Sequence, residues 1–303
     1  MNRTASSTQT QNQTQWGIFA VLIASFLWGT TGTAASFAPT LSPLAIGAIA
    51  MGGGGLLQAL LAIKYIQRNL SKLRQQRTIL LLGGLGVGIY PLTFYSSMHY
   101  AGVTIGTVVS IGTAPLFTAL LERMVDRREL SKRWLISFVL GVIGIVCLSL
   151  GESKAMHVAA EETHKLLGIV LGCIAGFTYS LYSWCAQKLM QRGIESKASM
   201  GMIFGLGALL LLPTLYFTGG NLLHESINIY VAAYMTLIPM FLGYLLFGFG
   251  LKTVPASQAV TLTLFEPFIA AIFAMTLVGE HLALIGWMGL ALIFGCLLVL
   301  AKG

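Results

Sequence analysis

Charge is scarce in this chain. Lys and Arg number 18 and Asp and Glu ten among 303 residues, so 9% of positions are charged, against about 25% in ordinary soluble domains. So few charges cannot cover a water-exposed surface of this size, and a soluble globular protein is excluded. Cysteine is rarer still. Cys147, Cys173, Cys185 and Cys296 form no CxxC pair and fall inside apolar runs, where they read as small apolar fillers with no bearing on redox compartment. His157, His164, His224 and His281 lie in loops or near helix ends without metal-ligand spacing, so no metal and no other cofactor is expected. Glycine is plentiful, yet its motifs are incomplete. Gly52-Gly53-Gly54-Gly55 lacks the Lys-Ser/Thr of a phosphate loop, and Gly84-Leu85-Gly86-Val87-Gly88 places Ile89 where a dinucleotide fingerprint needs its third glycine.

Long apolar runs are what the chain has instead. Apolar residues make up 56% of it. About 20 helical residues cross the hydrocarbon of a bilayer, and ten runs of roughly that length are predicted, at 17–37, 43–63, 78–99, 105–122, 134–150, 167–187, 199–218, 229–250, 256–277 and 283–301. The expected fold is an all-α integral membrane protein. The polar residues 1–15 read as a disordered tail, and the first run as a retained helix, because no small-residue cleavage site follows it.

Basic residues cluster between alternate runs. Lys64, Arg68, Lys72, Arg74 and Arg77 lie between runs 2 and 3, Arg123, Arg127, Arg128, Lys132 and Arg133 between runs 4 and 5, and Lys188, Arg192 and Lys197 between runs 6 and 7. With Arg3, Lys252 and Lys302, all but Lys154 and Lys165 fall on one side, which the positive-inside rule makes cytoplasmic, both termini included. The net charge of +8 therefore sets topology and does not indicate nucleic acid.

The second half is a diverged copy of the first. Gly17-Ile18 and Ile23-Ala24-x-Phe26 recur at Gly168-Ile169 and Ile174-Ala175-x-Phe177, an offset of 151 residues, and Pro115 meets Pro267 with one residue of slip. The expected units are 16–152 and 167–303, joined by an external linker at 153–166. Five runs per unit is an odd number, so the second unit starts on the opposite side and the repeats are inverted, the construction of many secondary transporters with a site near the midplane. Gly168, Gly172 and Gly176, Gly84 and Gly88, and Gly201 and Gly205 stand four apart, a spacing that lets membrane helices approach closely.

Glu266 is the one carboxylate in the middle of a run. A charge there costs on the order of 2.5–3.5 kcal/mol on insertion scales, so it should face the protein interior or a wet cavity. Pro267 beside it removes a backbone donor and frees the carbonyl near Thr263. The aligned first-half residue, Ala114, is no acid. Glu266 is the candidate coupling or binding group, for a proton or a substrate ammonium. The bland alternative is a protonated or hydrogen-bonded acid that only joins helices. Candidate lining at similar depth comprises Trp28 and Thr31 on run 1, Tyr90, Tyr95 and His99 on run 3, Ser110 and Thr113 on run 4, Tyr179 and Tyr182 on run 6, Tyr244 on run 8 and Thr263 on run 9, with Pro115 and Pro267 as kinks. Such a lining suits an amphipathic solute, although each aromatic residue taken singly also fits packing or an interface belt.

Taken together, the ten runs, the five-plus-five repeat, Trp28-Gly29, the proline-centred helices at Pro115 and Pro267, and the steps Glu129-Leu130 and Glu280-His281 resemble the drug/metabolite transporter superfamily, specifically its ten-helix EamA-type members, over about residues 17–301. The resemblance implies an inner-membrane exporter of amino acids, related amines, other metabolites or drugs, with a central cavity lined by runs 1, 3, 4, 6, 8 and 9. It supplies no role for Glu266, which rests on position alone. A small-molecule substrate, membrane lipids and protons are the expected partners, and a monomer is compatible with them. A passive facilitator or channel, or an importer, remains open. A membrane enzyme would need clustered acids, a metal site or a nucleophile–base pair, which one lone Glu does not supply.

Overall fold

Apolar runs become helices because only a helix satisfies every backbone group in lipid without a partner segment. The computed structural model describes residues 2–101, 103–151, 162–279 and 281–301, and no strand occurs among them. The first half contains α1 (Asn2–Gly29), the short α2 (Thr31–Ser36), α3 (Pro43–Arg68), the short α4 (Leu70–Gln75), α5 (Arg77–Ala101), α6 (Val103–Met124) and α7 (Lys132–Gly151). The second half contains α8 (Glu162–Gln191), α9 (Ser196–Leu211), α10 (Leu215–Thr218), α11 (Ser226–Met235), α12 (Gly243–Gly250), α13 (Ala256–Leu262), α14 (Phe265–Phe273) and α15 (Leu284–Ala301).

Eight helical stretches are long and apolar enough to cross a membrane, and Leu284–Leu300 is a shorter apolar helix. The 20-residue α7 packs along it. Helix α1 extends back to Asn2 through the stretch expected to be a tail, which contains neither Gly nor Pro to stop it. Helix α8 likewise begins at Glu162, inside the expected linker. The rest of that linker, together with Lys154, His157, Glu280 and Lys302, lies outside the described residues.

The molecule is apolar on its outer face. Leu81, Leu135, Ile136, Leu150 and Leu209 are among many exposed large side chains, as lipid-facing residues should be. Polar side chains point inward and mostly bond within their own helix. Ser25, Ser180 and Ser183 each donate to the carbonyl four residues earlier, at 3.0, 2.7 and 2.8 Å.

Packing crosses between the halves. Helix α1 lies against α12 and α14, and α8 lies against α5 and α6. Helix α3 faces α9, and α7 faces α15. Small residues permit these approaches where water supplies no driving force. The four-glycine run lies within α3, and a Cβ on Gly55 would sit 2.5 Å from the Phe204 carbonyl oxygen.

Candidate functional site

Two helices of the second half are interrupted near the centre. Pro239 has no N–H, and the backbone widens into a π-helix over Thr236–Leu242 between α11 and α12. The Pro239 carbonyl accepts a 2.9 Å hydrogen bond from Nε1 of Trp28, at the end of α1. Gly243 leaves room for that indole, because a Cβ there would lie 2.7 Å from Nε1. The Trp28 ring rests 4.6 Å from Tyr244 and 5.4 Å from Phe247, centroid to centroid.

The second interruption separates α13 from α14 at Thr263-Leu264. Pro267 cannot donate to the Thr263 carbonyl, which instead accepts a 2.9 Å bond from the Glu266 N–H. The carbonyl that the sequence marked as freed is thus tied in a tight turn. The Thr263 hydroxyl donates to the Val260 carbonyl at 2.8 Å and accepts from Tyr179 at 2.9 Å, so α8 braces the break. Glu266 stands in the first turn of α14.

A cavity of about 540 Å³ opens beside this turn. Of the candidate residues, Trp28, Thr31, Tyr95, Glu266 and Pro267 line it. Phe94, Met98, Thr107, Ile111, Ile145 and Leu148 complete the first-half wall. Residues 36–43 of the α2–α3 connection also line it, which places its mouth at the end opposite the basic loops. No Lys, Arg or His is among the described residues that line it. The Glu266 carboxylate accepts no hydrogen bond and meets no cation among the described residues.

Tyr90, Tyr179, Tyr182 and Tyr244 form one cluster beneath the cavity, toward the basic end. Tyr90 lies 5.5 Å from Tyr179, and the hydroxyls of Tyr182 and Tyr244 share a 2.7 Å hydrogen bond. Thr263 joins the cluster through Tyr179. Other candidates lie elsewhere. His99 is exposed, its ring 5.0 Å from Tyr100. Thr113 donates to the Val109 carbonyl at 2.6 Å, and the hydroxyl of buried Ser110 has no partner among the described residues. Both sit on α6 where it meets Gly176 of α8. Pro115 is buried inside an unbroken α6.

Polar contacts that the sequence does not reveal tie the helices together at the basic end. Glu122, 2% exposed, accepts from the Ser257 N–H at 3.1 Å and from its hydroxyl at 2.6 Å. Gln187 donates to the carbonyls of Leu251 (3.0 Å) and Val254 (2.6 Å) and accepts from the Ala256 N–H (2.8 Å). Asp126 pairs with Lys188 and accepts from Nε1 of Trp184. Trp134 donates to the Thr261 hydroxyl at 3.1 Å. Glu122 stands at the end of the run 105–122, and nothing in its neighbours along the chain marks it as buried.

A multi-pass helical bundle that meets across two halves, with broken helices and one unpaired carboxylate inside, has the build of a membrane transporter. The model of the EamA-like transporter family matches residues 15–150 and again residues 166–301, and the chain belongs to that family. Its architecture is accordingly that of two repeats, and it is a transporter and not an enzyme. The chain is 32% identical over 282 residues to the uncharacterized transporter YwfM of Bacillus subtilis, covering 93% of this chain and 92% of YwfM. It is 28% identical over 213 residues to the threonine/homoserine exporter RhtA of Salmonella typhimurium, covering 69% and 66%. One solved crystal structure superposes with a TM-score of 0.76 over 93% of this chain and 95% of its own, at 17% identity, a likeness of fold alone.

Proposed function

We propose that the protein exports small amphipathic metabolites, amino acids or related amines, from the bacterial cytoplasm across the inner membrane by alternating access. The observation that carries this reading is the unpaired Glu266 carboxylate in a cavity between the two halves. In this reading the chain spans ten times. Helices α7 and α15 complete the eight long spans, and the repeats are inverted with both termini cytoplasmic. The reciprocal packing of α1 on α12 and α14 and of α8 on α5 and α6 supports a two-fold relation between them. A cavity lined by the α2–α3 connection, away from the basic loops, above a basic end where α6 and α8 are hydrogen-bonded to α13 and the segment before it, suits an outward-facing state. Trp28, Thr31 and Tyr95 contact the solute, the tyrosine cluster forms the floor, and Glu266 holds a substrate ammonium or a proton. Export is supported by RhtA, an exporter by its name.

Counterflow into proteoliposomes tests the reading with a radiolabelled amine or amino acid. Saturable uptake accelerated by unlabelled solute on the opposite side is the expected result. Flux that rises linearly with concentration and ignores the trans side would instead establish a channel.

A further inference from the structure

We infer that the Glu266 cavity selects organic monocations that carry no carboxylate, and rejects zwitterionic amino acids. This rests on reading the cavity as the transport site. Its charge inventory is one-sided, with Glu266 as its only acid and no Lys, Arg or His among the described lining residues. An ammonium group entering it finds a carboxylate without a partner and the rings of Trp28 and Tyr95. A second anion would find no counter-charge and would stand in the same space as the first.

Hydrogen-bond donors could stand in for a cation, and here they are already engaged. The Thr31 hydroxyl donates to the Trp28 carbonyl at 2.7 Å, and Ser36 donates to the Thr33 carbonyl at 2.8 Å. Thr107 donates to the Met98 sulfur at 3.5 Å. The Trp28 N–H is given to the Pro239 carbonyl. At the start of α14 the Glu266 N–H is bonded to the Thr263 carbonyl, and Pro267 has none. Among the lining side chains that leaves the Tyr95 hydroxyl, a single neutral donor, on a wall otherwise built from Phe94, Met98, Ile111, Ile145 and Leu148. Buried anions persist where charge or several donors compensate them, and neither is offered here. The preferred ligand is therefore a primary to quaternary ammonium ion with an apolar body, within a volume of about 540 Å³.

Matched pairs that differ by one carboxylate test the selection. Binding of phenethylamine and phenylalanine, and of 3-aminopropan-1-ol and homoserine, is measured by titration calorimetry on the purified full-length protein, with benzyltrimethylammonium as a permanently charged probe. Each amine should bind tighter than its amino acid by on the order of 100-fold, the scale set by an uncompensated buried charge. Glu266→Gln should abolish amine binding, and Glu266→Asp, which keeps the charge and controls for folding, should retain the preference. Phenylalanine or homoserine binding as tightly as its amine, yet lost in Glu266→Gln, overturns the selection and leaves the transport-site reading standing. Binding of either class unaffected by Glu266→Gln overturns both, as does absence of any amine binding to the folded wild type.

Discussion

One contact occurs twice in this molecule, each time between the two halves, and the two versions differ. The Ser180 hydroxyl of α8 shares its one proton between the Gly176 carbonyl of its own helix, at 2.7 Å, and the Ala114 carbonyl of α6, at 2.6 Å. The repeat offset carries Ser180 back to Gly29, and Ala114, with one residue of slip, forward to Glu266. Gly29 of α1 does lie against the Glu266 carbonyl, so closely that a Cβ would sit 2.8 Å from the oxygen and 2.7 Å from the Ile269 side chain. The version at Ala114 is a pinned contact at a fully buried alanine. The version at Glu266 carries no side-chain bond and sits at the base of an acid that faces a cavity. The proline-bearing helices differ in the same sense. Pro91 and Pro115 lie in continuous helices, whereas the π-helix at Pro239 and the turn before Pro267 interrupt theirs. The proline-linked breaks and the acid that faces the cavity thus both fall in the second half.

That contrast can be broken most severely by giving both halves an acid. Ala114→Glu places a carboxylate where exposure is 0%, and should cost about 3–5 kcal/mol. Thermal unfolding of the purified protein would show it as a large fall in Tm or as loss of monodisperse material. Gly29→Val should cost up to about 3 kcal/mol by overpacking α1 against α14. It should depress transport along with Tm, since it wedges apart Trp28 and Glu266.

The larger features were legible in the sequence for simple reasons. Apolar runs of membrane length have one backbone solution, and a duplicated gene leaves an offset that survives divergence. Glu266 stood out because a charge inside such a run needs a partner or a cavity. What stayed hidden depends on neighbours from distant parts of the chain. Pro115 and Pro267 look alike in sequence, yet only the second adjoins a break, at Thr263, which Tyr179 braces from another helix. Glu122 resembles any helix-end carboxylate until Ser257 closes on it. His99 and Tyr95 lie four residues apart on α5, but one is exposed and the other lines the cavity.

Smaller changes sharpen the comparison. Glu122→Ala removes both acceptors from Ser257 and should cost about 2 kcal/mol, as hydrogen bonds to a charged group do. Because this bond ties α6 of one half to α13 of the other, labelling of a cysteine introduced at the neighbouring Gln258 should rise at the basic end. Ser180→Gly, which makes the pinned contact resemble its partner, should cost about 1 kcal/mol for one buried hydrogen bond. Its effect on transport should be slight, because neither Ser180 nor Ala114 lines the cavity.

The most direct test of the account is gradient-driven accumulation of labelled phenethylamine in proteoliposomes containing wild type or Glu266→Gln. Saturable accumulation by wild type and none by the variant, with the variant still folded, is the expected result. Equal accumulation at equal apparent affinity would contradict it, and would reduce Glu266 to a residue that only packs helices.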